Sequence, residues 1–308
     1  MNRKIILPFI LSLLFLSFIL SLQTSTSFEF SAKPVKPSSQ IIPWYIQQIN
    51  ADDAWLYSNG TGVNLAILDS GIDPRHPDLQ PNLAGGISFV TNNPNQITDK
   101  YGHGTWVTGI ASAVNNEVGL VGVSPDVNIY AIRIGVSYPI LSAIIAGIDW
   151  CIANDIDIIS MSFSSSFNFI ELEKACQRAS DAGIIMVASA GNNEIVEYPA
   201  RYSTVIAVGG TDMDNSIPSW SGKGESLELV APAVEIYSTS VKKDYGIWDG
   251  TSASAPQVAG YIALLMNLHP NWDTEFIRLW LQNNAEDLGE IGWDSESGYG
   301  LINCEELY

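Results

Sequence analysis

Val63-Asn64-Leu65-Ala66-Ile67-Leu68-Asp69-Ser70-Gly71 is an apolar run that stops at a carboxylate and a turn. Its length and nearly continuous apolar character suit a strand covered on both faces. Runs of the same kind recur at residues 127–132, 156–160, 184–188 and 205–208, and helical patterns at 106–114, 141–153 and 170–182 lie between them. Alternating β and α segments with buried strands predict an α/β domain built on a doubly wound, mainly parallel sheet with helices on both faces. Two more helical patterns, 258–268 and 272–283, close the domain. Such sheets bind substrate beyond the carboxyl ends of their strands. Asp69 lies at one such end, and so do Ser160-Met161-Ser162-Phe163 and Ser189-Ala190-Gly191-Asn192.

The segment Gly250-Thr251-Ser252-Ala253-Ser254-Ala255-Pro256 puts a serine at the start of an apolar helix. There the unpaired helical N–H groups and the macrodipole favour negative charge, the setting that an acyl-transfer nucleophile requires. Taken alone, the motif reads as an N-cap serine followed by a first-turn proline. Its company changes that reading. His103 lies in Gly102-His103-Gly104-Thr105, and Asp69 ends a strand. A strand-end carboxylate, a glycine-flanked imidazole and a helix-start hydroxyl are the parts of an orienter, a base and a nucleophile. Among the other histidines, His76 falls in a turn and His269 follows a helix before Pro270, which suits structural roles.

With Asp69, His103 and Ser252 in that chain order, residues 40–303 resemble the subtilisin-like serine proteases. The resemblance implies a seven-stranded sheet and a serine endopeptidase that hydrolyses protein or peptide substrates. It gives Ser252 the role of nucleophile, His103 that of general base and acid, and Asp69 that of orienter. Asn192, which alone would read as a turn former after Gly191, becomes the side-chain donor of an oxyanion hole. The substrate backbone is expected beside Ser162-Phe163-Ser164, opposite Ser137-Tyr138-Pro139, with Ser189 and Gly191 also at the binding site. Glu197, just before Tyr198-Pro199, falls on the floor of the primary pocket; the competing reading is a solvated surface carboxylate. A structural calcium ion is implied at Gln40, Asp78, Val114, Asn116, Val118 and Leu120, a set of carboxylate, amide and carbonyl oxygens that otherwise reads as a polar loop.

Composition narrows the partners. The chain has 308 residues and a formal net charge of −19, and beyond residue 38 it holds ten basic against 32 acidic residues. No basic face for nucleic acid can be assembled from so few cations. Arg3 and Lys4 precede an apolar run over 5–22, which reads as a signal peptide or an N-terminal membrane anchor. Residues 1–22 are therefore expected to direct export, 23–39 to form a linker, and 40–308 to form one peptidase domain. The expected protein is a monomer, secreted or extracytoplasmic, and is held at a membrane if residues 5–22 persist. The family's folded pro-region is not expected within the short stretch ahead of Gln40. Cys151, Cys176 and Cys304 read as buried free thiols, with one disulfide pair as the alternative. A catalytically silent peptide binder would be favoured by loss of Asp69, His103, Asn192 or Ser252, and all four are present. An esterase of the α/β-hydrolase class would need Gly-x-Ser-x-Gly, which does not surround Ser252.

Overall fold

The computed structural model describes residues 37, 39–91, 93–305 and 307. Seven strands form one sheet: β1 (Asn64–Asp69), β2 (Leu83–Ser88), β3 (Asn128–Arg133), β4 (Ile158–Met161), β5 (Ile185–Ser189), β6 (Val205–Thr211) and β7 (Leu229–Pro232). Their order is β2-β3-β1-β4-β5-β6-β7, and every neighbouring pair is parallel. The expected α/β class and the seven strands are thus both present. β5, β6 and β7 are buried at every residue, as apolar runs covered on both faces must be.

Two short helices, α1 (Trp44–Gln48) and α2 (Ala51–Ala54), precede the sheet. The longer ones are α3 (His103–Ser112), α4 (Leu141–Ala153), α5 (Ile170–Asp181), α6 (Ser254–Leu268) and α7 (Thr274–Asn283). α3 and α6 pack on each other and on the sheet; α4 and α5 form a second such pair. α6 is apolar around its circumference and buried from Ser254 to Leu265, because it runs against β4, β5, β6 and β7. Ile262, Leu264 and Leu265 on it are fully buried, each contributing about 1.5–3 kcal/mol relative to exposure. α5 is amphipathic instead, burying Leu172, Ala175, Cys176 and Ala179 at helical spacing. α7 starts where the Asp273 side chain accepts from Phe276 N at 2.8 Å, so the helix begins at Thr274 rather than at Trp272.

Several elements differ from the sequence reading, which singled out neither β7 nor the short helices α1 and α2. β2, Leu-Ala-Gly-Gly-Ile-Ser, carries two glycines and no continuous apolar run, so nothing local announces it; pairing with β3 makes it a strand. The antiparallel hairpin of β8 (Ile236–Ser240) and β9 (Asp244–Trp248) was likewise not expected; it leads directly into the segment carrying Ser252. α3 begins at His103 instead of Trp106, which puts the imidazole in the first helical turn.

The three cysteines are free and buried, as read; the disulfide alternative fails. Burial pushes the Cys176 thiol up to about 12, where it is inert at neutral pH. Residues 1–36, on which the leader and most of the linker fall, lie outside the described residues. Among the described residues, no helix is long and apolar enough to cross a membrane.

Candidate active site

The chain reverses its lateral direction beside β1, since β3 and β4 flank that strand. A cleft of about 260 Å³ opens there, beyond the carboxyl ends of β1, β4 and β5. Asp69, His103, Ser162, Phe163, Ser164, Ser189, Gly191, Asn192, Glu197 and Ser252 all line it, so the residues selected from sequence converge on one place. Ser137-Tyr138-Pro139 also line the cleft.

Asp69 and His103 meet because the first turn of α3 lies directly on the turn after β1. A Cβ on Gly104 would come within 2.2 Å of the Gly71 carbonyl oxygen, so no other residue permits that approach. The His103 Nδ1 is 2.9 Å from both Asp69 carboxylate oxygens. An ionised carboxylate only accepts, so Nδ1 carries the proton and Nε2 has a free lone pair. Burial drives the His103 pKa down, but Asp69, by charge and hydrogen bond, and Asp99, by charge, more than reverse this and hold it above the usual histidine value.

Ser252 lies two residues ahead of α6 and does not cap it; the N-cap position is Ala253 and makes no side-chain cap bond. Instead Ser252 and Ser162 clasp each other. The Ser162 hydroxyl donates to the Ser252 carbonyl at 2.8 Å, and the Ser252 hydroxyl donates to the Ser162 carbonyl at 3.3 Å. The single hydroxyl proton of Ser252 is thus given to the Ser162 carbonyl, and it reaches His103 only when that bond is exchanged.

Asn192 is oriented by Thr251, whose N–H and hydroxyl both donate to Asn192 Oδ1 at 3.0 Å. The Thr251 hydroxyl is set in turn by accepting from Gly191 N at 3.1 Å. With its oxygen held by two donors, Asn192 is left with its NH₂ group to offer. Glu197 is 6% exposed, which rules out the solvated-surface reading. Its carboxylate accepts from the Ser164 hydroxyl and from Asn193 Nδ2.

Sequence reasoning missed four contributors: Ser70, Asp99, Thr251 and Trp248. Asp99 precedes the start of α3 by four residues, ahead of the N-cap position at Gly102, so no local capping pattern marks it. Trp248 had no local signal, because the hairpin that carries it was not recognised. His76 and His269 are structural as read: His76 Nδ1 accepts from Asp78 N at 3.2 Å, and His269 stacks on Trp272.

The expected cation ligands gather at the far end of α3. Asp78 is fully buried; its Oδ2 accepts from Tyr245 OH at 2.9 Å and Leu120 N at 3.1 Å, while Oδ1 has no hydrogen-bond partner. Gln40 Nε2 donates to the carbonyls of Val114 at 2.8 Å and Leu120 at 3.3 Å. Asn116 Oδ1 accepts from Val118 N at 3.1 Å. A buried carboxylate oxygen without a partner suits a hard cation, whereas Gln40 turns its NH₂ group to the Val114 and Leu120 carbonyls and its oxygen accepts from Glu117 N at 3.4 Å. No cluster of three or more His, Cys, Asp or Glu that could hold a metal ion occurs among the described residues, so the expected calcium set rests on a single carboxylate with amide and carbonyl oxygens.

This fold and cleft agree with comparison to known proteins. The subtilase family model matches residues 60–300. Subtilisin amylosacchariticus from Bacillus subtilis subsp. amylosacchariticus is 38% identical over 278 residues, covering 87% of this chain and 71% of its own. Subtilisin from Bacillus pumilus is 38% identical over 278 residues, covering 87% and 98%. Alkaline elastase YaB from Bacillus sp. (strain YaB) is 39% identical over 271 residues, covering 86% and 70%. The chain belongs to the subtilase family, and it is a serine endopeptidase acting on protein or peptide substrates.

Proposed function

We propose that Ser252 is the nucleophile of this endopeptidase, His103 its general base and acid, Asp69 the orienter, and Asn192 with the Ser252 N–H the oxyanion hole. The observation that carries this reading is the bifurcated hydrogen bond from His103 Nδ1 to both Asp69 oxygens at 2.9 Å in the same cleft as Ser252 and Asn192. On turning from the Ser162 carbonyl, the Ser252 hydroxyl attacks the scissile carbonyl and passes its proton to His103 Nε2. Asp69 stabilises the imidazolium so formed, and Asn192 Nδ2 and the Ser252 N–H hold the oxygen that becomes negative. His103 returns the proton to the leaving amine. Water, activated by the same imidazole, then releases the acyl group from Ser252.

The substrate backbone adds as a strand beside Ser162-Phe163-Ser164, a mode that uses main-chain bonds and accepts many sequences. Glu197 supports a preference for Lys or Arg before the scissile bond, because an apolar side chain would leave its carboxylate poorly matched. Gln40, Asp78, Val114, Asn116, Val118 and Leu120 would hold a calcium ion whose role is structural. Export, directed by the apolar segment 5–22, and a monomeric state complete the reading. Fluorophosphonate labelling tests its centre: the wild-type protein is labelled on Ser252, and Ser252→Ala loses both label and peptide hydrolysis while keeping its fold. Hydrolysis at the wild-type rate in Ser252→Ala overturns it.

A further inference from the structure

Behind the Asp69–His103 pair lies a second carboxylate, Asp99, only 5% exposed. Five donors converge on it. Oδ1 accepts from the Ser70 hydroxyl, Tyr101 N and Gly102 N, each at 2.9 Å, while Oδ2 accepts from Thr105 N at 2.9 Å and the Thr105 hydroxyl at 2.8 Å. Asp99 takes part in none of the ion pairs among the described residues. The five donors come from three places: the turn after β1, the loop ahead of α3, and the first turn of α3.

These bonds continue to the reacting groups. Ser70 accepts from Gly104 N at 2.9 Å, and its own N–H donates to Asp69 Oδ1 at 2.7 Å. Gly102 and Gly104, which flank His103, are therefore both tied to this network, one through Asp99 and one through Ser70. Asp69 and His103 are held to a common frame by Asp99 and Ser70. An asparagine cannot replace Asp99 there, because one of its two polar atoms would be a donor facing donors.

We propose that Asp99 is a positioning residue for the endopeptidase reaction: it locks the first turn of α3 onto the turn after β1, so that His103 is presented to Asp69. This rests on the assignment of Asp69, His103 and Ser252 as the catalytic groups. The titratable groups lining the cleft with His103 are Asp69, Tyr101, Tyr138 and Glu197, and Asp99 lies behind it. Of these, Asp69 and Asp99 raise the imidazole pKa. Trp106 and Trp248, the rings against the imidazole, carry no charge.

Steady-state kinetics across pH on Asp99→Asn test the proposal. A misplacement of the order of 1 Å costs roughly 10²-fold, so kcat is expected to fall by about that factor with little change in KM. The acid limb of kcat/KM should also move to lower pH, because one of the two carboxylates that raise the His103 pKa has gone. Ser70→Ala removes a link but keeps the charge; its kcat falls and its acid limb stays. A residue that only stabilised the fold would lower the melting temperature and leave both kcat and the limb unchanged, and that result overturns the proposal. Should Asp99→Asn fail to accumulate folded, Ser70→Ala and Thr105→Val each strip one side-chain donor and must slow fluorophosphonate labelling; unchanged labelling rates in both overturn it as well. The assignment beneath it stands or falls separately, because Ser252→Ala must be inactive whatever Asp99→Asn does.

Discussion

The Trp248 indole lies nearly parallel to the His103 imidazole, with 21° between the rings and 5.7 Å between their centroids. Trp106 approaches the same imidazole at 6.0 Å with 45° between planes. Trp248 ends β9, four residues before Ser252, so one hairpin delivers both the nucleophile segment and a ring against the base. A π face within about 6 Å of a cation stabilises it by roughly 0.5–1 kcal/mol at partly exposed sites. The charged form of His103 is favoured by Asp69 and Asp99 and opposed by burial, and the near-parallel Trp248 face adds to the favourable side.

Only neutral His103 accepts the serine proton, so kcat/KM should fall as pH drops through a value above the ordinary histidine pKa of about 6.5. Trp248→Leu removes one stabiliser of the imidazolium and should move that limb down by roughly half a pH unit. A pH–rate profile with a small peptide substrate measures both. A limb at or below the ordinary value counts against the paired carboxylates, and an unmoved limb in Trp248→Leu counts against the indole.

The Asn192 amide is aimed by Thr251, which separates donor from aim experimentally. Asn192→Ala should reduce kcat by roughly 10²–10³ with little effect on KM, the range for loss of one preorganised oxyanion donor. Thr251→Val keeps the N–H bond to Asn192 Oδ1 but deletes the hydroxyl, so a smaller loss, again in kcat, is expected. Burst kinetics with an activated ester show whether the loss lies in acylation. An equal or larger effect on KM in both variants would place Asn192 in ground-state binding instead.

The unpartnered Oδ1 of Asp78 predicts a response to calcium. Burial and the neighbouring Asp78 push the Tyr245 phenol far up, so Tyr245 remains a donor to Oδ2 and does not serve Oδ1. A ligand that binds only the native state at 100 times its Kd stabilises by about 2.7 kcal/mol, or roughly 5–10 °C for a domain of this size. Thermal melts with excess calcium and with chelator should differ by that amount in the wild type and coincide in Asp78→Asn. Identical wild-type curves would return Gln40, Asp78 and Asn116 to ordinary loop chemistry.

The sequence was most legible where chemistry and periodicity coincided. β1 ends in Asp69, and its buried run could be read because both faces of the strand are covered. The residues expected in the cleft all reached it, since parallel strands send their carboxyl ends to one edge. What stayed hidden depends on distant pairing. β2 has only the backbone of β3 to make it a strand, and the β8–β9 hairpin is placed against α3 by contacts such as the Ser238 hydroxyl donating to the Trp106 carbonyl at 2.8 Å. Asp99 was hidden for a related reason. Its five donors come from residues 70 to 105, and no single window contains their convergence.

Glu197 gives the sharpest test of specificity. It is 6% exposed and faces the cleft, where Ser164 and Asn193 each donate to it. Those bonds fix the carboxylate in place, and Gly191 beside it, at φ +102°, holds a backbone conformation that favours glycine and leaves room for the Oε2. A Lys or Arg side chain entering the pocket would form a charge-assisted bond worth about 1.5–3 kcal/mol, which an apolar side chain forgoes while still desolvating the carboxylate. Cleavage of a peptide library should therefore favour Lys or Arg before the scissile bond. Glu197→Gln should reduce that preference by roughly 10–100-fold in kcat/KM, mainly by slowing the basic substrates. A preference for large apolar residues that survives Glu197→Gln unchanged would mean that the substrate side chain never reaches the carboxylate, and Glu197 would then serve only to hold Ser164 and Asn193 in place.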